Sequence, residues 1–287
     1  MSRMHGPAIP IVSSIAPLTP GIAAWIVDIW GVMHNGAHGH PSAVAACRGF
    51  RAQGGTVVLL SNAPRPFAAV VAYLDELGVA RDSYDAGVTS GDATRDMMAA
   101  WQGKRVLHIG PDRDRGLFAG YDVLPATAAD ADVVLCSGLY DDDVETPADY
   151  ADMLAMLAAR GVPMICANPD IVVERGHRLI HCAGGLARDY EQRGGPVTYA
   201  GKPHLPIYER VFAAIEKIRG GPVPREKIVC IGDGMETDMR GAHAAGLKSV
   251  FIASAIHAPG GLSPEVLAEL FANRPFAPIA AMTALAW

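Results

Sequence analysis

The chain has 287 residues, which is ample for two domains of ordinary size. Half of them (50%) are hydrophobic and 19% are charged, so the chain buries a large core and is not a disordered one. The formal net charge is -6 and there is no basic stripe, which argues against nucleic acid as a partner.

No apolar run reaches the roughly 18 residues that a membrane-spanning helix needs. The first 21 residues are broken by Pro7, Pro10, Pro17 and Pro20, and they lack the continuous apolar stretch of a signal peptide. The five cysteines (47, 136, 166, 182 and 230) form no CxxC pair. Reduced, buried thiols in a cytoplasmic protein are the expectation.

In chain order, Trp25-Ile26-Val27 predicts a buried strand that ends in Asp28. Trp30, Gly31 and a loop closed by Gly36 follow. Pro41–Gln53 reads as a helix, Thr56–Leu60 as a buried strand of the parallel kind, and Ser61-Asn62 ends that strand. Pro66–Gly78 is a helix with Phe67, Val70, Val71, Leu74 and Leu77 at helical spacing. From Val88 to Val197 the chain reads as a separate α/β unit. Its strands are expected at Arg105–Ile109, Val133–Leu135 and Met164–Ala167, and its helices at Thr94–Trp101 and Pro147–Arg160. Glycine or proline marks both of its ends, at Gly87 and at Gly194-Gly195-Pro196. A second run of β-then-α units follows: helix Pro206–Arg219, strand Ile228–Ile231, helix Thr237–Ala245 and strand Ser249–Ala253. The expected organisation is a core from residues 1–87 and 198–287, with residues 88–197 inserted as a second α/β domain. The core would be a Rossmann-like parallel sheet with helices on both faces.

Four strand ends of that core carry polar groups: Asp28, Ser61-Asn62, Lys202, and Asp233 with Asp238. In a parallel sheet such ends converge on one crevice. Two acids there suit Mg²⁺, which takes one or two carboxylates and fills its shell with phosphate oxygens and water. A hydroxyl and an ammonium beside them suit a phosphate, and a carboxylate can act as the nucleophile.

The order DxWGV…SN…GK…GDGxxTD resembles the haloacid dehalogenase superfamily, specifically its class IIA branch of phosphatases related to NagD and 4-nitrophenylphosphatase. The cap segments Thr89-Ser90-Gly91-Asp92-Ala93-Thr94 and Asn168-Pro169-Asp170 share in the resemblance, which covers nearly the whole chain. It implies that Asp28 is the nucleophile and Lys202 its charge-neutralising partner. It implies that Ser61 binds phosphate and that Asn62 shapes the loop. Mg²⁺ would be held by Asp28, the Trp30 backbone carbonyl, Asp233 and Asp238, and the insert would be a class II cap. A small phosphorylated metabolite is the implied substrate. No membrane is expected as a partner, and a homodimer with a second copy of the chain is left open.

Position 30 departs from the pattern. In family phosphatases a second Asp there protonates the leaving oxygen and later activates water. Indole has one N–H that does not titrate, and losing a positioned acid/base costs about 10²–10⁴ in rate. A leaving group that needs no proton, such as an acyl phosphate or phosphoanhydride, fits better. A catalytically impaired binding or regulatory protein and a carbon–halogen or carbon–phosphorus hydrolase are the rival readings. His34, His38 and His40 match no strong zinc spacing and read as solvated loop histidines, with His34 singled out by its nearness to Asp28. Arg65 reads equally as a phosphate partner or as a solvated loop cap. Arg175, His177, Arg178 and His181 face a substrate or lie on a solvent-facing hairpin. Asp141-Asp142-Asp143 reads as a loop and helix start with no metal role. Gly232-Asp233-Gly234 lacks the third glycine of a dinucleotide fingerprint, and there is no P-loop.

Overall fold

The structure is a computed structural model that describes residues 9–175, 178–253 and 261–287, with the backbone alone for Glu174 and Arg175. The expectations attached to residues 1–8, to His177 and to the Arg175 side chain lie outside the described residues.

In chain order the elements are β1 (Ala24–Asp28), α1 (Pro41–Ala52), β2 (Thr56–Ser61), α2 (Phe67–Glu76), β3 (Ala86–Thr89) and α3 (Ser90–Met98). There follow β4 (Arg105–Ile109), β5 (Leu124–Pro125), β6 (Val133–Cys136), α4 (Ala151–Ala159), β7 (Met164–Cys166), β8 (Val172–Arg175), β9 (Arg178–His181), α5 (Ala183–Gln192) and β10 (Val197–Tyr199). The chain ends with α6 (Leu205–Arg219), β11 (Ile228–Gly232), α7 (Arg240–Ala244), β12 (Lys248–Ile252), α8 (Pro264–Leu270) and β13 (Ala280–Met282).

The core sheet has the order β13-β12-β11-β1-β2-β3, and the β13–β12, β12–β11, β11–β1 and β1–β2 ladders are parallel. A smaller parallel sheet, β10-β7-β6-β4-β5, belongs to the inserted α/β cap, with the antiparallel pair β8–β9 beside it in sequence. The fold is therefore a Rossmann-like core with a class II cap. Two compact units divide the chain: Met1–Leu60, Leu74–Gly87 and Val211–Trp287 form one; Ser61–Tyr73 and Val88–Arg210 form the other.

Local sequence explains the elements. β1 and β2 are buried along their whole length, as strands of a parallel sheet covered on both faces are. Pro41 opens α1, whose Ala43, Val44, Ala46, Cys47 and Phe50 are buried at helical spacing. Phe50 stacks on Trp25 of β1 with the ring centroids 4.0 Å apart. In the cap sheet successive side chains divide between two cores. Val106, Val133, Leu135, Ile165 and Ala167 pack on one face with Leu117. Leu107, Ile109, Val134, Cys136, Met164 and Cys166 pack on the other with Leu154 and Leu157 of α4.

Several expectations shift. The helix expected at Thr94–Trp101 starts earlier, at Ser90, because Thr89 and Asp92 form a reciprocal capping box; its last turn, Ala99–Trp101, is a 3-10 turn. The helix expected from Pro147 begins as a 3-10 turn capped by Thr146 and Asp149. The helix expected from Thr237 begins with a π turn at Met235–Met239. α5 carries Gly184 and Gly185, poor helix formers, so its propensity is weak. Close packing accounts for the first: a Cβ on Gly184 would collide with the Pro169 carbonyl. The short strands β5, β10 and β13 have too few residues to show a period. All five cysteines are free and buried. No helix among the described residues is long and apolar enough to cross a membrane.

Candidate functional site

The order of the core sheet decides where its reactive end lies. From β1 the chain steps to β2 and β3 on one side, and it returns at β11 on the other side of β1. The connections leaving β1 and β11 therefore diverge, which opens a crevice at their carboxyl ends. Asp28 is the last residue of β1, and Asp233 directly follows β11. Asp238 lies in the π turn one step further, a kind of irregular turn that clusters at functional sites. One carboxylate oxygen from each of the three acids lies within 4.8 Å of the other two, and all three residues are buried. Three buried hard oxygen donors at this separation fit a divalent cation.

Backbone groups hold Asp28 and Asp238. The Ile29 N–H donates to Asp28 Oδ1 at 2.8 Å, and the Gly234 N–H donates to Asp238 Oδ2 at 3.2 Å. Gly31 has φ +87, a left-handed conformation, and a Cβ there would stand 2.6 Å from the Asp233 Cγ. Only glycine serves at that position. β2, whose Leu60 is the register partner of Asp28, ends one residue later on buried Ser61.

Trp30 is folded into its own loop. Its indole meets the His34 ring edge-on at 4.9 Å, and a Cβ on Gly36 would stand 2.8 Å from the indole. The Gly36 N–H donates to His34 Nδ1 at 2.9 Å. His34 is not the solvated residue expected: it is buried, and burial, aided by the charge of His40, lowers its pKa to about 4. A neutral imidazole that accepts at Nδ1 is part of the loop's framework. His38 is exposed and His40 is half-buried.

The second unit gathers the other candidates. Asn62 is the organiser: its side-chain N–H₂ donates to Asp170 Oδ1 at 2.9 Å and to the Lys202 carbonyl at 3.3 Å, and its Oδ1 accepts from the Lys202 backbone N–H at 2.7 Å. Lys202 is buried, and a Cβ on Gly201 would strike the Asn62 side chain. Asp170 itself donates through its backbone N–H to Asn168 Oδ1 at 3.1 Å. The segment Asn168-Pro169-Asp170 thus braces the loop after Ser61. The segment Thr89–Asp92 does the same from another side: the Thr89 hydroxyl donates to the Arg65 carbonyl at 2.7 Å, and the Gly91 N–H donates to the Ala63 carbonyl at 3.0 Å. A Cβ on Gly91 would collide with the Arg65 backbone. Arg65 Nε lies 4.0 Å from a carboxylate oxygen of Asp114, and its side chain is about one-third exposed, at 35%. Asp170 and Asp92 carry these structural roles; the sequence shows them as motif members with no role attached. The exposed Asp143 pairs with Arg178.

Known proteins place the chain. Residues 25–123 match the family described as haloacid dehalogenase-like hydrolases, and residues 199–274 match the related HAD-hydrolase-like family. The crystal structure of a haloacid dehalogenase-like hydrolase from Brucella suis is 45% identical, with 96% of this chain and 99% of that chain covered at a TM-score of 0.86. The ribonucleotide monophosphatase NagD of Escherichia coli is 27% identical over 237 residues, 80% of this chain and 87% of that protein. The 4-nitrophenylphosphatase of Thermotoga maritima shares the fold at 22% identity and a TM-score of 0.70, with 93% of this chain and 96% of that chain covered. The chain belongs to the haloacid dehalogenase superfamily of hydrolases. Within it, the chain is related to the class IIA members of NagD and 4-nitrophenylphosphatase type, and hydrolysis is its class of activity.

Proposed function

We propose that the protein is a Mg²⁺-dependent phosphatase of a small phosphorylated metabolite, acting through an aspartyl-phosphate on Asp28. The observation that carries this reading is the triad of buried carboxylates, Asp28, Asp233 and Asp238, at the divergence of β1 and β11. Phosphatase and monophosphatase activities are named for the NagD and 4-nitrophenylphosphatase relatives. Asp28, Asp233, Asp238 and the Trp30 carbonyl would hold the ion. When bound, Mg²⁺ supplies positive charge that offsets the negative charge of a phosphoryl group.

The chain's own groups do the rest. An oxygen of Asp28 attacks phosphorus; the Asp28 O–P bond forms as the bond to the leaving oxygen breaks. Water then attacks the aspartyl-phosphate, releasing inorganic phosphate and restoring the carboxylate. The Ser61 hydroxyl and the Lys202 ammonium receive the phosphate oxygens, with Asn62 fixing the backbone of Lys202. Arg65 is assigned to the phosphate-facing loop. The segment 88–197 serves as the cap domain. Five buried thiols fit a reducing, cytoplasmic setting.

Trp30 favours one refinement. With an indole where the family has an acid, the leaving oxygen departs without a positioned proton donor, so low-pKa leaving groups, including anhydrides and acyl phosphates, are the better substrates. The test is turnover of a panel of phosphate esters graded by leaving-group pKa, with Mg²⁺ and with chelator. Asp28→Asn is expected to lose at least about 10³-fold in kcat. Turnover that survives Asp28→Asn overturns the covalent mechanism. Tight binding with no turnover anywhere on the panel supports the rival reading of a binding protein.

A further inference from the structure

Lys202 is held in place by a chain of contacts that begins at the end of the inserted sheet. β10 runs parallel to β7 with Tyr199 opposite Cys166, and the next N–H, that of Ala200, donates to the Cys166 carbonyl at 3.1 Å. Both strands then release their chains at the same end. Asp170 lies four residues past β7, and Lys202 three past β10. Asn62 joins the two, and all of these residues belong to one compact unit.

The Asn62 amide is used on both ends. Its N–H₂ donates to Asp170 Oδ1 at 2.9 Å and to the Lys202 carbonyl at 3.3 Å, while its Oδ1 accepts from the Lys202 N–H at 2.7 Å. Only one of the two orientations of the amide makes these bonds. Turned end for end, it would set N–H₂ against the Lys202 N–H and its oxygen against a carboxylate and a carbonyl. A carboxylate accepts and does not donate, and a bond to it is stronger than one between neutral groups. Asp170 therefore selects the orientation in which Asn62 grips the Lys202 backbone from both sides.

Asp170 can do this because its own backbone is fixed. Its N–H donates to Asn168 Oδ1 at 3.1 Å, and its carbonyl accepts from the Gly184 N–H of α5 at 3.1 Å. The Cys166 thiol donates to the Asn168 carbonyl at 3.3 Å, which ties the turn to the last residue of β7. Two glycines let the parts close up. A Cβ on Gly184 would collide with the carbonyls of Pro169 and Asp170, and one on Gly201 would strike the Asn62 side chain and Pro169.

We propose that Asp170 is a positioning residue for phosphoryl transfer: through Asn62 it fixes the backbone from which Lys202 presents its ammonium. The assignment rests on the phosphatase reading, in which Lys202 receives phosphate oxygens. It gives the inserted segment a part in the step that every substrate shares, because Lys202 meets the phosphoryl end and not the leaving group. Asp170→Ala and the nearly isosteric Asp170→Leu both remove the acceptor, so one folded variant suffices; Asp170→Asn keeps an oxygen that still accepts from Asn62. The expected result is a fall in kcat/KM of about tenfold in Asp170→Ala or Asp170→Leu, by the same factor on 4-nitrophenyl phosphate and on acetyl phosphate. Asp170→Asn should stay within about threefold of the unaltered protein. In a Lys202→Ala background, Asp170→Ala should add no further loss, since the residue it acts through is gone. Hydrogen exchange at the Lys202 amide should quicken by about tenfold in Asp170→Ala. An unchanged kcat/KM, a loss confined to one substrate, equal losses in the Ala and Asn variants, or a full further loss without Lys202 overturns the assignment. If the unaltered protein turns over no ester, the phosphatase reading fails by itself. The exchange rate then decides whether Asp170 holds Lys202, and an unchanged rate refutes it.

Discussion

Gly31→Ala tests the architecture of the acid triad through one methyl group. Gly31 has φ +87, so an alanine there bears the left-handed penalty of about 1–2 kcal/mol. The added Cβ would also stand 2.6 Å from the Asp233 Cγ, whereas carbons in comfortable contact are about 3.5–4.0 Å apart. The Asp233 carboxylate must therefore shift by about 1 Å from its place in the triad. For a chain of this length the strain corresponds to a melting temperature lower by about 2–8 °C in chelator. The displacement of a ligand is a separate effect, and a fall of about 10–100-fold in divalent-cation affinity is expected from it. Calorimetric titration with Mg²⁺ or Mn²⁺, read beside a thermal melt, separates the two. A folded Gly31→Ala protein with an unchanged cation affinity refutes the assignment of Asp233 to the metal.

Trp30→Asp restores a carboxyl where the family has its acid/base. It removes the indole that meets His34 and lies over Gly36. Turnover of alkyl phosphates is expected to rise by about 10² or more, while 4-nitrophenyl phosphate changes little because its leaving group needs no proton. Unchanged alkyl-phosphate rates in a well-folded variant refute the account of position 30. His34 predicts the acid limb of stability. Its folded pKa of about 4 lies below the ordinary value of 6.5, so it is neutral in both states above pH 6.5. As pH falls from 6.5 to 4, the unfolded chain takes up a proton that the folded chain does not, and up to about 3 kcal/mol of stability is lost. His108 acts with the same sign. Urea midpoints measured from pH 7.5 to 4.5 should fall, and His34→Gln should flatten part of the decline. An unaltered acid limb in that variant refutes the role of His34.

Much of this protein is legible in its sequence. Asp28, Ser61 and Asp233 announce themselves because each follows a short β-branched apolar run, and such runs in a βα alternation end at one sheet edge. The helix starts are less readable. Thr89 and Asp92 form a capping box whose partners are three residues apart but whose role depends on the strand before it. α5 is hidden because its glycines lower helix propensity, and packing against Pro169 and Asp170 explains Gly184. His34 reads as solvated and is buried, because loop polarity carries no information on burial.

By itself the sequence determined the alternation of strands and helices, the acids at their ends, the family, and the presence of an indole where an acid is usual. These are properties of short segments and their order, which local pattern and chain connectivity carry. Tertiary structure decided how far apart the carboxylates stand, that Gly31 is the only residue able to lie against Asp233, and that Asn62 binds both Asp170 and, 140 positions away in sequence, Lys202. It also brought His108 and Ser137, 29 residues apart, together at the ends of the neighbouring cap strands β4 and β6. Sheet order and close packing are many-body outcomes of burying apolar surface, and no local window of sequence records which strand lies beside which.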